Sequence, residues 1–168
     1  MQKILIVSDT HGIPYNFEKM LEIEGTPDMI LHLGDIEGQE DYMETLAGCK
    51  MEIVAGNNDS NKKLPHELLL TISGKRILML HGTGRVSFDI EESCWKLRLL
   101  AKEKRADIVM FGHIHIPIIS KGEPWDAFVI NPGSLTYPRQ HNRKPSYVVM
   151  LMQENGEFEC EIKYIEKF

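Results

Sequence analysis

The chain has 168 residues, 42% of them hydrophobic and 26% charged, with a formal charge of −6. That length suits a single domain, 1–168, able to bury roughly 70% of the surface an unfolded chain exposes, so neither disulfides nor a structural metal are needed to hold it together. The acidic balance argues against non-specific binding to nucleic acid or an anionic membrane, so an anionic substrate has to be drawn in by a local field.

Short runs of branched apolar residues alternate with helix-like segments, the pattern of a sheet buried on both faces. The first run, Ile4 to Val7, is too short for a signal core or a membrane span, so a cytoplasmic protein with no membrane partner is expected. YNFEKMLEIE then carries Phe17, Met20, Leu21 and Ile23 at helical spacing, with Gly25 and Pro27 ending the helix. A second strand at 29–33 leads to a short helix, DYMETLA, closed by Gly48, and to a third strand at 52–55.

LLLTISGKRILML reads as two strands joined at Ser73-Gly74-Lys75, a hairpin that interrupts the alternation and makes the sheet mixed. Asp89 and Glu92 form a capping-box pattern ahead of a helix whose stripe is Ile90, Cys94, Leu97 and Ala101, running to about Lys104. It returns the chain to a strand at 107–111. Beyond it, Ile118 and Ile119, Ala127 to Ile130, and two strands around Asn155-Gly156 predict an antiparallel C-terminal third. The expected architecture is α/β: a two-sheet mixed β-sandwich flanked by helices. Cys49, Cys94 and Cys160 lie far apart and form no CxxC, which suits a reducing compartment and packing as small apolar side chains.

Chemistry collects where the apolar runs stop. Ile4–Val7 is followed by Asp9 and His11, 29–33 by Gly34-Asp35, 52–55 by Gly56-Asn57-Asn58-Asp59, 76–80 by His81-Gly82, and 107–111 by Gly112-His113-Ile114-His115. In open α/β sheets the carboxyl ends of the strands share one edge, where ligand sites form, so these groups are expected to converge. Residues i and i+2 leaving a strand point to one side, so Asp9 with His11, and His113 with His115, can each grip a common centre or two adjacent ones. The adjoining glycines suit tight turns and close approach.

A lone histidine after a strand is more often a satisfied core group than a ligand, but five such endings together reverse those odds. His32, inside its strand, is read as a core residue or one that orients a ligand. His66 and His141 are read as solvated. The run Arg139 to Lys144 is read first as a solvated loop and second as a contact to a substrate phosphate.

The series DxH, GD, GNxD, HG and GHxH resembles the calcineurin-like metallophosphoesterase superfamily, and Asn131-Pro132-Gly133-Ser134 resembles its small bacterial and archaeal phosphodiesterase branch. The resemblance covers essentially the whole chain. It implies a two-sheet α/β sandwich with a dinuclear centre at the strand ends. Asp9, His11, Asp35 and His115 would hold one ion, and Asp35, Asn57, His81 and His113 the other, with Asp35 the bridge. Oxygen and imidazole donors without thiolate admit Mn, Zn, Fe, Ni or Mg; manganese is the first choice by family habit. Two divalent ions, the two aspartates and a bridging hydroxide leave about +1 in the cleft, enough for an acidic protein to attract a phosphate ester. The implied reaction is attack of that hydroxide on a small phosphodiester. The family resemblance also suggests a homo-oligomer.

Asn58 departs from the pattern, because many relatives have histidine there, able to protonate the leaving alkoxide. An amide donates a hydrogen bond but is no general acid near neutral pH, a loss of about 10² to 10⁴ in rate for poor leaving groups. Two other readings stand beside the hydrolase. One is a metal-binding scaffold, since the retromer complex contains a subunit of this fold that lacks the GD aspartate and GN asparagine. The other is a nuclease, disfavoured by the charge of −6.

Overall fold

The computed structural model describes residues 1–166. Ten strands and three helices follow in the order β1 (Gln2–Val7), α1 (Tyr15–Glu24), β2 (Met29–His32), α2 (Glu40–Ala47), β3 (Lys50–Ile53), β4 (Glu67–Ile72), β5 (Lys75–Leu80), α3 (Ile90–Lys104), β6 (Ile108–Met110), β7 (Pro117–Ser120), β8 (Phe128–Pro132), β9 (Ser146–Met152) and β10 (Phe158–Tyr164). They build two mixed five-stranded sheets, ordered β10-β9-β1-β2-β3 and β4-β5-β6-β8-β7.

Three apolar layers explain the near-continuous hydrophobic runs. Ile4, Ile6, Leu31 and Leu33 face Ile77, Met79, Ile108 and Met110 between the sheets. On the other side of the same strand, Leu5 and Val7 pack against Phe17 and Met20 of α1 and Met43 of α2. Leu78, Val109 and Val129 likewise back onto Cys94, Leu97 and Ala101 of α3. The layers stack as helices, sheet, sheet, helix, so central strands are apolar on both faces. No helix among the described residues is long and apolar enough to cross a membrane.

The local signals act as expected at most ends. Ser73 and Gly74 both take positive φ (48° and 79°), the tight hairpin turn between β4 and β5. Asp89 caps α3 by accepting a hydrogen bond from the Glu92 amide at 3.0 Å, while the Glu92 carboxylate turns to Lys96 at 2.8 Å instead of completing the box.

Three expectations are corrected. Ile23 is not in the core but 58% exposed. At about 100° per residue it lies off the Phe17–Met20–Leu21 face, and Glu24 falls on that face instead. Its buried carboxylate is met by Lys3 at 2.6 Å and Lys163 at 2.9 Å. The third strand lies at 50–53, leaving Val54 and Ala55 in the turn that carries the chain to Asn57. The C-terminal third is only partly antiparallel: β8 runs parallel to β6, and β9 crosses to the first sheet to pair antiparallel with β1.

Candidate metal centre

The parallel strands β1, β2 and β3 of one sheet, and β5 and β6 of the other, end at one edge, so the turns that follow them meet. Five of the residues they deliver there, Asp9, His11, Asp35, His113 and His115, hold positive φ between 49° and 70°. A left-handed backbone costs a non-glycine residue about 1–2 kcal/mol, and such strain gathers where function demands it. Of the adjoining glycines, Gly112 is required by close approach: a Cβ there would fall 2.1 Å from Ser8 Oγ and 2.7 Å from Asp9 Oδ2.

Three imidazoles are fixed from behind. His81 Nδ1 donates to the Leu33 carbonyl at 2.7 Å, His115 Nδ1 to the Tyr137 carbonyl at 2.7 Å, and His11 Nδ1 to Glu37 Oε1 at 2.7 Å. Carbonyls and carboxylates only accept, so each Nδ1 carries the proton and each Nε2 is turned inward. His115 Nε2 lies 2.9 Å from Asp9 Oδ1 and 3.3 Å from His11 Nε2. His81 Nε2 lies 3.4 Å from Asp35 Oδ2 and 3.8 Å from Asp9 Oδ1, and Asp35 Oδ2 is also 3.8 Å from His11 Nε2.

Asp9 Oδ1 is buried and receives no hydrogen bond, whereas Oδ2 is satisfied by Ser8 Oγ at 2.5 Å and the His113 amide at 3.0 Å. Nitrogen lone pairs converging on a carboxylate oxygen need a cation between them. Protons on the rings are one such cation, and a divalent ion shared by the nitrogens is the other. The donor atoms of Asp9, His11 and His115, and those of Asp9, Asp35 and His81, each lie within 4.8 Å of one another, close enough to hold a metal ion. Asn57 Oδ1 sits 3.0 Å from both His81 Nε2 and His113 Nδ1, extending the cluster to the outer side.

The electrostatics follow this geometry. Burial opposes ionisation of Asp9, but the imidazoles of His11, His115 and His81 around it outweigh burial and hold the carboxyl far below the usual carboxylate range. The neighbouring Asp9 carboxylate lifts His11 to about 9 against the opposing effect of burial, with Glu37 assisting. His113 is lowered by burial and by neighbouring His81.

All seven sequence-predicted donors therefore meet in one cluster. Asn58 joins them in an unexpected way: its amide N–H and side-chain Nδ2 donate to the two oxygens of Asp35 at 2.8 and 2.9 Å. His32 is fully buried, accepting from the Gly34 amide at 3.1 Å and facing Thr10 Oγ1 at 3.0 Å, so it ties the β1 turn to the β2 turn. His66 and His141 are exposed.

Sequence reasoning missed the residues that hold the turns. Asp59 accepts from the amides of Asp35 (2.8 Å), Gly56 (2.7 Å) and Glu37 (2.7 Å), clamping two turns together. Ser134 Oγ donates to the Asp9 carbonyl at 2.8 Å, and Asn131 Nδ2 to the Gly112 carbonyl at 2.9 Å. The Asn-Pro-Gly-Ser segment thus braces the turns that carry Asp9 and His113.

Residues 2–155 match the calcineurin-like phosphoesterase superfamily domain. The chain belongs to that superfamily. A Mycoplasma genitalium protein named "Probable metallophosphoesterase MG207" is 30% identical over 99% of this chain and 97% of its own. Among solved structures, a predicted phosphoesterase from Streptococcus pneumoniae matches with a TM-score of 0.70 and 26% identity, covering 98% of both chains. The zinc complex of Vps29 from Entamoeba histolytica matches at 0.75 and 19%, covering 96% of this chain and 98% of that one. A protein described as a novel archaeal phosphodiesterase matches at 0.69 and 22%, covering 96% and 99%. The superfamily's two-sheet architecture is the one found here, and its members include metal-dependent phosphoester hydrolases.

Proposed function

We propose that this calcineurin-like phosphoesterase is a two-metal phosphodiesterase acting on a small phosphodiester. The observation that carries the reading is the convergence of three inward imidazole nitrogens on the orphaned Asp9 Oδ1, with Asp35 Oδ2 set between His11 and His81. In this reading Asp9, His11, Asp35 and His115 hold one ion, and Asp35, Asn57, His81 and His113 the other. The donor set is oxygen and imidazole, and manganese is the proposed ion. When bound, the ions supply Lewis acidity, making water acidic and neutralising charge on phosphoryl oxygens.

The chain's own residues do the rest. Glu37, Leu33 and Tyr137 hold the imidazoles in one tautomer, and Asn58 and Asp59 hold Asp35 and its turn. No general acid stands at position 58, so the leaving group departs without a proton from that side chain. That favours diesters and activated aryl esters over alkyl monoesters. The free thiols of Cys49, Cys94 and Cys160 agree with a cytoplasmic setting.

The test is hydrolysis of a bis-aryl phosphate beside the matching aryl monoester, by protein stripped with chelator and reloaded with Mn²⁺, with Asp35→Asn as control. Metal-dependent cleavage favouring the diester and lost in the control is expected. Absence of cleavage with any metal, while ions still bind, overturns the hydrolase reading in favour of a scaffold.

A further inference from the structure

We propose that Arg139 and Arg143 form an anion subsite beside the metal centre, and that the substrate is a small phosphodiester carrying a second phosphate. The inference rests on the phosphodiesterase reading and adds a substrate class to it.

The segment after β8 is locked to the centre by two hydrogen bonds. His115 Nδ1 donates to the Tyr137 carbonyl at 2.7 Å, and the Arg139 amide donates back to the His115 carbonyl at 3.0 Å. Its position relative to a candidate ligand is therefore fixed. The Tyr137 ring, half exposed, lies 5.2 Å from the His11 ring. Beside it opens a cavity of about 350 Å³ lined by Thr136, Tyr137, Pro138, Arg139 and Arg143.

The two guanidiniums are unspent. Arg139 Cζ lies 5.7 Å from the centroid of the Phe88 ring, a cation–π contact that holds the guanidinium without using its N–H donors. Among the described residues its side chain makes no hydrogen bond, and Arg143 makes only a long one, 3.4 Å to the Pro138 carbonyl. Neither has a carboxylate within 4.0 Å there, whereas Lys144 of the same loop is neutralised by Glu166 at 2.7 Å. The loop is also built rather than slack. Gln140 Nε2 donates to Asn142 Oδ1 and the Lys144 carbonyl, and Arg143 holds a left-handed φ of 51°.

Two exposed arginines without carboxylate partners, on the loop bonded to the candidate centre, give an otherwise acidic chain a local positive field that favours an anion. The scissile phosphate is claimed by the centre itself. A second phosphate, gripped through the planar N–H fork, suits the arginines.

The experiment is equilibrium binding of thymidine 3′,5′-bisphosphate and thymidine 5′-phosphate to the Mn-loaded protein, by calorimetry at low and moderate salt. Arg139→Gln and Arg143→Gln are measured beside it, their folding checked by thermal melts. The bisphosphate is expected to bind about tenfold tighter or more, the preference shrinking with salt and collapsing toward one in both variants. Equal binding of the two ligands, no binding of the bisphosphate, or a preference that survives both substitutions would each overturn the subsite. Loss of diester hydrolysis alone would count against the phosphodiesterase reading and leave this comparison intact.

Discussion

Gly56→Ala is the sharpest single test of the centre's geometry. Gly56 does not have a positive φ, so alanine meets no backbone penalty there, only a steric one. A Cβ at that position would fall 2.1 Å from Asp35 Oδ1, 2.4 Å from the Asp35 amide nitrogen and 2.8 Å from its Cγ. Ordinary contacts begin near ~3.5 Å, so the β2 and β3 turns must part by roughly 1 Å. Overpacking of this kind costs about 1–3 kcal/mol, a fall in Tm of about 2–12 °C for a chain of this size. The functional cost is larger, because ligand distances tolerate only about ±0.2 Å and Asp35 would leave its place between His11 and His81. Calorimetric titration of the stripped, folded variant with Mn²⁺ is expected to show affinity reduced by about 100-fold or more. Gly25→Ala is the control for backbone strain without crowding: at φ 70° and ψ −167°, a region essentially reserved for glycine, with nothing within 4 Å, it should cost about 1–3 kcal/mol and leave metal affinity untouched. A Gly56→Ala protein that takes up two ions with parental affinity would refute the placement of Asp35.

Two further predictions concern the residues around the centre. Burial lowers His32 to about 4 from an ordinary value of 6.5. Below pH 6.5 the unfolded chain therefore binds a proton that the native chain refuses, so this stability is complete above 6.5 and drains away as pH falls to about 4, by roughly 3 kcal/mol. Denaturant titrations from pH 7 to 4 should show His32→Gln losing less stability than the parent over that window; parallel curves would show that His32 is not held neutral. At position 58, hydrolysis rates for a series of aryl diesters should fall steeply with leaving-group pKa in the parent and less steeply in Asn58→His. An unchanged slope would remove the argument from the missing acid.

The donors were legible because each follows directly on an apolar strand, and the i, i+2 spacing of Asp9/His11 and His113/His115 marks a shared side. Glu37 stands in the same relation to Asp35, and that spacing could have found it. Asp59 was within the GNxD pattern, but its role is to accept three backbone amides, and nothing in a sequence says which amides come near. The bracing by Ser134 and Asn131 is invisible for the same reason, since it depends on β8 lying parallel to β6. Ile23 was misplaced by counting apolar residues without following the turn angle, which puts a buried, ion-paired Glu24 on the inner face.

The candidate donors are divided between the two sheets. The first sheet delivers Asp9, His11, Asp35 and Asn57, which supply all the negative charge, and the second delivers His81, His113 and His115. In the proposed two-metal reading both sets are needed: the first brings the two carboxylates, and the second brings only imidazoles, which alone would not offset the charge of two divalent ions. Leu33 and Val54, just past the ends of β2 and β3, share an apolar layer with Met79 and Met110 of the other sheet, so the donors cannot part without opening that core. The strain of five left-handed residues in three turns is offset there, by burial at about 25 cal/mol per Å² on both sides of the same strands. An ion held between the sheets would then add its own binding energy to the native state only, joining at the top two layers already packed below.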